Sequence, residues 1–157
     1  MTTEKAYNFE TVHQYNVFNN QPTIHPLVSV IDFSKAERRT GSRMTFDNLF
    51  CIFVKEIKCG DLKYGCNHYD YEQGTLVFIS PGQVIDVENK VDFYQPMGHG
   101  LVFHPDLIKG TPIQDLMETY HFFSYNTNEA LHLSEEERKI VFDCFDKIKY
   151  EINHVID

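Results

Sequence analysis

Apolar residues along this chain fall in short runs separated by Gly, Pro and polar turn residues, and most of these runs have the period of strands. His25–Phe33 (HPLVSVIDF) is rich in β-branched residues around a proline and predicts a strand. Arg43–Asp47 predicts a shorter one. Leu49–Ile57 (LFCIFVKEI) is apolar at successive positions, so a strand there needs cover on both faces. Lys58–Asp61 makes a turn, with Gly60 suited to positive φ. Leu62–Cys66 and His68–Tyr71 alternate around Gly65. Thr75–Ile79, between Gly74 and Pro81-Gly82, predicts a buried strand ending in a tight reversal. Val84–Glu88 and Gly100–His104 add two more, divided by the polar loop Asn89–Gly98. Short strands about ten residues apart, each closed by turn residues, predict an all-β barrel or sandwich. Neither βαβ alternation nor an internal repeat is visible.

The pattern changes after Pro105. Thr111 can cap a helix that has Pro112 as its first residue and turns Ile113, Leu116 and Met117 inward. Phe122-Phe123-Ser124-Tyr125 reads as an aromatic connector. Ser134 with Glu137 forms a capping box, and three glutamates sit at the positive end of the helix dipole. Val141, Cys144, Phe145, Ile148, Ile152 and Val155 follow at spacings of three and four, a continuous apolar stripe. A small barrel rarely offers a groove that long, so two readings stand: the helix packs along its own barrel alone, or it also meets a second copy of the chain. Residues 1–24 are mostly polar with scattered aromatics and read as an N-terminal arm with one short helix around Glu10–Phe18. The expected organisation is thus an arm (1–24), a β-barrel (25–105) and a C-terminal helical segment (106–157) for dimerisation or linkage.

Composition narrows the function. The 157 residues fit one domain with a real core. A net charge of -9 disfavours nucleic acid, whose binding needs clustered Lys and Arg. The one basic stretch, Lys35–Arg43, carries Thr, Gly and Ser and reads as a solvated loop. Cys51, Cys59, Cys66 and Cys144 form no CxxC pair, so free thiols and a reducing cytoplasm are expected, with Cys51 and Cys144 buried. The chain shows no signal peptide and no membrane-length apolar run.

An ordered set of motifs carries a resemblance. It comprises His25-Pro-Leu-Val-Ser-Val30, Tyr69-Asp-Tyr-Glu-Gln-Gly-Thr-Leu-Val-Phe-Ile-Ser-Pro-Gly-Gln83, Phe103-His-Pro-Asp-Leu107, Phe122-Phe-Ser-Tyr125 and Asn128-Glu-Ala-Leu-His-Leu-Ser-Glu135. With them the chain, from about residue 24 onward, resembles the N-terminal sensor domain of AraC-family transcriptional regulators of the Bacteroides type. The resemblance implies a mainly β fold, a cupin-like barrel (a double-stranded β-helix, or jelly roll) followed by C-terminal α-helices. It implies a small-molecule effector such as a sugar, a homodimer, and DNA contact only through a helix-turn-helix domain that lies outside this chain. Positions matching the sugar contacts of arabinose-type members hold Ile57, Val87, Gly98 and Gly100, so arabinose recognition does not carry over.

The chemistry expected from the residues is non-enzymatic. Cupin metal sites use a histidine just beyond the Pro-Gly turn, and here Gln83, Val84, Ile85, Asp86 and Val87 follow. His68-Tyr-Asp-Tyr-Glu72 offers half of a metal cluster at most, so no metal and no cofactor are expected. There is no nucleophile elbow, phosphate loop or acid pair. The expected ligand-binding residues are His25, Lys55, Tyr64, Tyr71, His99 and His104, and the expected dimer contact is Val141, Cys144, Phe145, Ile148 and Ile152. The alternatives are a small cupin isomerase or dioxygenase, or a dimerisation module without a ligand.

Overall fold

The computed structural model describes residues 5–55, 62–64, 67–68, 75–87, 93, 95–119 and 130–154. In chain order the elements are β1 (Lys5–Phe9), α1 (Val12–Phe18), β2 (Val28–Asp32), β3 (Ser42–Phe46), β4 (Phe50–Lys55), β5 (Leu62–Tyr64) and β6 (Asn67–His68). Then follow β7 (Thr75–Ile79), β8 (Gln83–Val87), β9 (His99–Phe103), α2 (Pro112–Thr119), β10 (Ala130–His132) and α3 (Glu135–Asn153). The protein is mainly β. Its strands form two five-stranded sheets, ordered β1-β3-β8-β5-β6 and β10-β7-β4-β9-β2. Among the described residues the hydrogen bonds divide into these two sheets and close no single ring.

The two sheets face each other across an aromatic core. Phe9, Met44, Phe46 and Ile85 come from the first sheet, and Ile31, Cys51, Phe53, Val77, Ile79 and Val102 from the second. Phe46 and Phe53 approach edge to face at 6.2 Å between the sheets, a geometry that aromatic quadrupoles favour. On the far side of the second sheet, Val54, Leu76, Leu101 and Phe103 pack beneath Phe145 and Ile152 of α3. Strands β4, β7 and β9 are therefore apolar on both faces, which is why Leu49–Ile57 and Thr75–Ile79 read as continuous apolar runs. The Pro81-Gly82 corner carries the chain from one sheet to the other. Gly82 takes φ 91° there, and its N–H donates to the Phe46 carbonyl at 2.6 Å.

The N-terminal segment differs from the expected arm. β1 pairs in parallel with β3, with Lys5 opposite Ser42 and Phe9 opposite Phe46. α1 is locked by a second capping box, Thr11 with Gln14, and buries Val12 and Tyr15. Tyr15 lies 4.9 Å from Phe9 and 5.3 Å from Phe46, ring to ring. The aromatics scattered through a polar stretch are the part of the segment that plugs one end of the sandwich.

The capping box at α3 forms as expected. The Ser134 hydroxyl accepts from the Glu137 N–H at 3.2 Å, and Glu137 Oε1 accepts from the Ser134 N–H at 3.0 Å. The stripe behind it is the seam between α3 and its own sheet, with Phe145 and Ile152 buried and Val141 and Ile148 half-buried against the same cluster. Cys144 is exposed, contrary to expectation, because it lies off that seam. Val155 lies outside the described residues. α2 also departs from its expected orientation. Ile113 and Leu116 are exposed and only Met117 packs inward. The Thr111 hydroxyl donates to the Ile108 carbonyl at 2.6 Å, part of the turn preceding the helix.

Candidate functional site

The middle of the sandwich is filled by side chains. Phe33, Phe46, Phe53 and Tyr15 meet there at ring distances between 5.3 and 6.5 Å. One end remains open. The inward row of β1 runs Phe9, Tyr7, Lys5, and that of β3 runs Phe46, Met44, Ser42, because alternate residues of a strand share a face. Each row turns from apolar to polar as it leaves the core. Beyond Tyr7 a cavity of about 270 Å³ opens, bounded by Phe18 at the end of α1, by residues 37–40, by Ser42 and by Phe93.

Arg39 dominates this cavity. Its guanidinium lies 4.1 Å from the centroid of the Phe18 ring, a cation–π contact. Nη2 donates to Asn19 Oδ1 at 3.2 Å. Asn19 is itself fully buried and fixed by donating from Nδ2 to the Tyr15 carbonyl at 2.9 Å. The Nε and Nη1 atoms of Arg39 are buried with no acceptor. Ser42, 1 % exposed, lines the same cavity, and its Oγ also has no partner. An orphaned buried donor costs about 1–3 kcal/mol, and more when charged, so such groups mark a place where a polar solute belongs. Arg38 closes the rim by donating to the Phe93 carbonyl at 3.3 Å. The stretch Lys35–Arg43 is therefore no simple solvated loop. Ala36 is buried, Arg39 is half-buried, and Arg43 pairs across strands with Asp86 at 3.9 Å.

A larger groove of about 460 Å³ lies on the opposite face of the second sheet, between α3 and the turn before α2. Val28, Leu101, Phe103, Ile148 and Ile152 make its walls almost wholly apolar. Size alone favours it. Yet a specific site needs a few convergent polar groups to orient a ligand, and the buried unpartnered donors lie at the smaller cavity.

Of the six residues expected to bind ligand, the three whose side chains are described, His25, His99 and His104, each make a separate local contact. His25 lines the apolar groove, but its Nδ1 accepts from the Leu27 N–H at 3.0 Å and thereby shapes the turn into β2. His104 Nδ1 accepts from the Asp106 N–H at 3.0 Å and caps the short helical turn after β9. His99 stands on the helix-covered face, edge-on to Phe142 at 5.4 Å. Lys55 ends β4 opposite Thr75, and Tyr64 ends β5 opposite Asn67, and only their backbones are described. Tyr71 lies outside the described residues, as do Ile57, Cys59, Cys66 and the stretch from Tyr69 to Glu72. Gln83 accepts the Ser80 N–H at 2.7 Å through Oε1 and braces the corner. Among the described residues no three His, Cys, Asp or Glu side chains gather as a metal site.

Two titratable groups have structural roles. Burial pushes the Cys51 thiol well above its ordinary range, so it stays protonated and inert. Burial also raises Asp32, but the Ser34 hydroxyl and N–H, at 2.6 and 3.0 Å, with His99 and Lys35 nearby, outweigh it and hold that carboxyl below its usual value.

No described helix is long and apolar enough to cross a membrane. The chain matches no family model, no curated protein and no solved structure.

Proposed function

We propose that this chain is the regulatory sensor domain of an AraC-type transcription factor. Its sandwich is a cupin-like barrel that takes a small-molecule effector, and its helices mediate homodimerisation that orients an attached helix-turn-helix domain. The observation that carries the reading is the polar cavity at the open end of a β-sandwich, in a chain whose ordered motifs resemble those sensors. Lys5, Tyr7 and Phe18, from the segment preceding β2, form one wall of that cavity. A ligand there would touch that segment directly, and any change in its packing is limited to the ligand's differential affinity for the alternative packings. Exposed Ile113, Leu116 and Ile140 on the helical layer support a contact between copies. The charge of -9 supports a division of labour in which DNA is gripped elsewhere. The role is non-enzymatic and cytoplasmic.

The test compares residues 1–157 with the natural chain extended beyond Asp157, in sedimentation and in DNA mobility shift at low salt. The proposal expects a dimer in both, and DNA binding by the extended chain alone. A monomer at high concentration removes the dimer reading. A natural stop after Asp157, or DNA binding by residues 1–157 alone, removes the sensor reading.

A further inference from the structure

We infer that the cavity at the open end of the sandwich is a receptor for a small organic monocarboxylate with an apolar body, and that Arg39 grips the carboxylate. The inference deepens the sensor reading, since the bound acid would be the effector, but its physical basis is independent of any output domain.

Charge gives the first argument. The described lining of the cavity holds Lys5, Arg38 and Arg39 against the single carboxylate of Glu37. A protein of net charge -9 thus concentrates positive charge at one recess of its surface. Such a recess attracts and focuses anions. Geometry gives the second. Arg39 is held by Phe18 on one side and by Asn19 on the other, leaving Nε and Nη1 buried without acceptors. A guanidinium fixed in this way offers several N–H donors in one plane, the pattern a carboxylate accepts. The Ser42 hydroxyl, buried and unpartnered at the same cavity, supplies a further donor.

Size and lining narrow the class. At a liquid share of about 30 Å³ per water, 270 Å³ holds about nine water-sized positions. That matches the heavy atoms of an acid such as benzoate. Tyr7, Phe18 and Phe93 present rings to the same space and suit an apolar or aromatic body. The Phe18 and Phe93 side chains at the same cavity have no polar group to match a compact, fully polar phosphate, which separates a monocarboxylate with an apolar body from inorganic phosphate. A neutral sugar would leave the charge of Arg39 uncompensated.

The experiment is calorimetric titration of residues 1–157 with benzoate, its neutral isostere benzamide, and inorganic phosphate. Benzoate should bind at least about tenfold more tightly than benzamide, since charge-assisted hydrogen bonds decide the difference. Arg39→Lys keeps the charge but loses the fork and should weaken benzoate about tenfold with the circular dichroism unchanged. Should that variant fail to fold, Lys5→Gln and Arg38→Gln alter exposed side chains. Each should then weaken benzoate by about threefold, with less effect in high salt. Equal affinity for benzamide, tighter binding of phosphate, no binding of benzoate, or indifference to every one of these substitutions overturns the inference. A neutral sugar bound in its place would leave the sensor reading standing and remove the carboxylate. Benzoate binding in a chain whose extended form ignores DNA would do the reverse.

Discussion

The two faces of β4 are packed in different ways. Toward the other sheet, Cys51 and Phe53 are 0 % and 3 % exposed and enter a ring network that reaches Tyr15, Phe33 and Phe46. Toward the helices, Val54 is fully buried but Phe50 and Ile52 are only half-buried, and among the described residues the cover over that face comes from α3, from Leu107 and Ile108 and from Met117 of α2, beside an apolar groove. The inner face is joined to both sheets and α1, so nothing there can relax without disturbing several elements. The outer face is covered by a docked layer of helix and turn residues. The proposed sensor role would draw on the rigid frame that fixes Arg39 and on the docked layer outside it.

Truncations on the two faces should therefore differ. Phe53→Ala removes a ring from the densest part of the core and should cost about 3–5 kcal/mol in urea unfolding. Phe145→Ala, at the helix–sheet seam, should cost about 2–3 kcal/mol, because α3 can settle toward the sheet and reduce the void. Equal costs would mean that the helical layer is as integral as the inner core. Phe145→Asp should undock α3 from its own sheet, because Phe145 is buried in that seam.

Gly100 sharpens the same contrast from the opposite direction. A Cβ there would lie 2.9 Å from Phe53 Cδ1 and 3.1 Å from Phe33 Cζ. Gly100→Ala should therefore overpack the inner face and lower the unfolding free energy by about 1–3 kcal/mol. A neutral result would show that the ring network yields more than its packing implies.

The smallest effect is expected at the start of the outer layer. Ser134→Ala removes the cap of α3 and should cost about 1 kcal/mol. Hydrogen bonds donated by the Ser134 N–H and by the Ser134 hydroxyl hold the Glu137 carboxyl below its usual range. A lowered folded pKa means the contribution is present above the unfolded value of about 4.3 and is lost as pH falls through the lower folded one. Asp32 has the same sign. Comparing wild type with Glu137→Gln between neutral and acid pH checks this. The stability difference should shrink toward acid, and a difference that grows would contradict the capping geometry.

Much of the frame was legible in the chain. Thr75–Ile79 forms its strand residue for residue, and the two covered faces of β4 over Phe50–Val54 and the Ser134–Glu137 box follow from local pattern alone. What was missed depended on contacts distant in sequence. β1 looked like part of an arm because its strand is short and its neighbours are polar, although the Tyr7 and Phe9 alternation was there to be read. Once β1 and α1 dock, they bury Asn19 and bring Phe18 over Arg39, and a basic loop becomes the wall of a cavity. Ser42 carries no sequence signal of burial at all; its position opposite Lys5 in the parallel pair supplies it. No local pattern announces that the His25 and His104 ring nitrogens cap the turns that follow them.

The most direct measurement is the nitrogen-15 NMR signal of the Arg39 side-chain Nε–H, assigned by its loss in Arg39→Lys. A buried, fixed guanidinium should give a slowly exchanging resonance that shifts on addition of benzoate and stays in place with benzamide. A fast-exchanging Arg39 resonance, or one that responds to both compounds alike, would contradict a preformed carboxylate receptor at the open end of the sandwich.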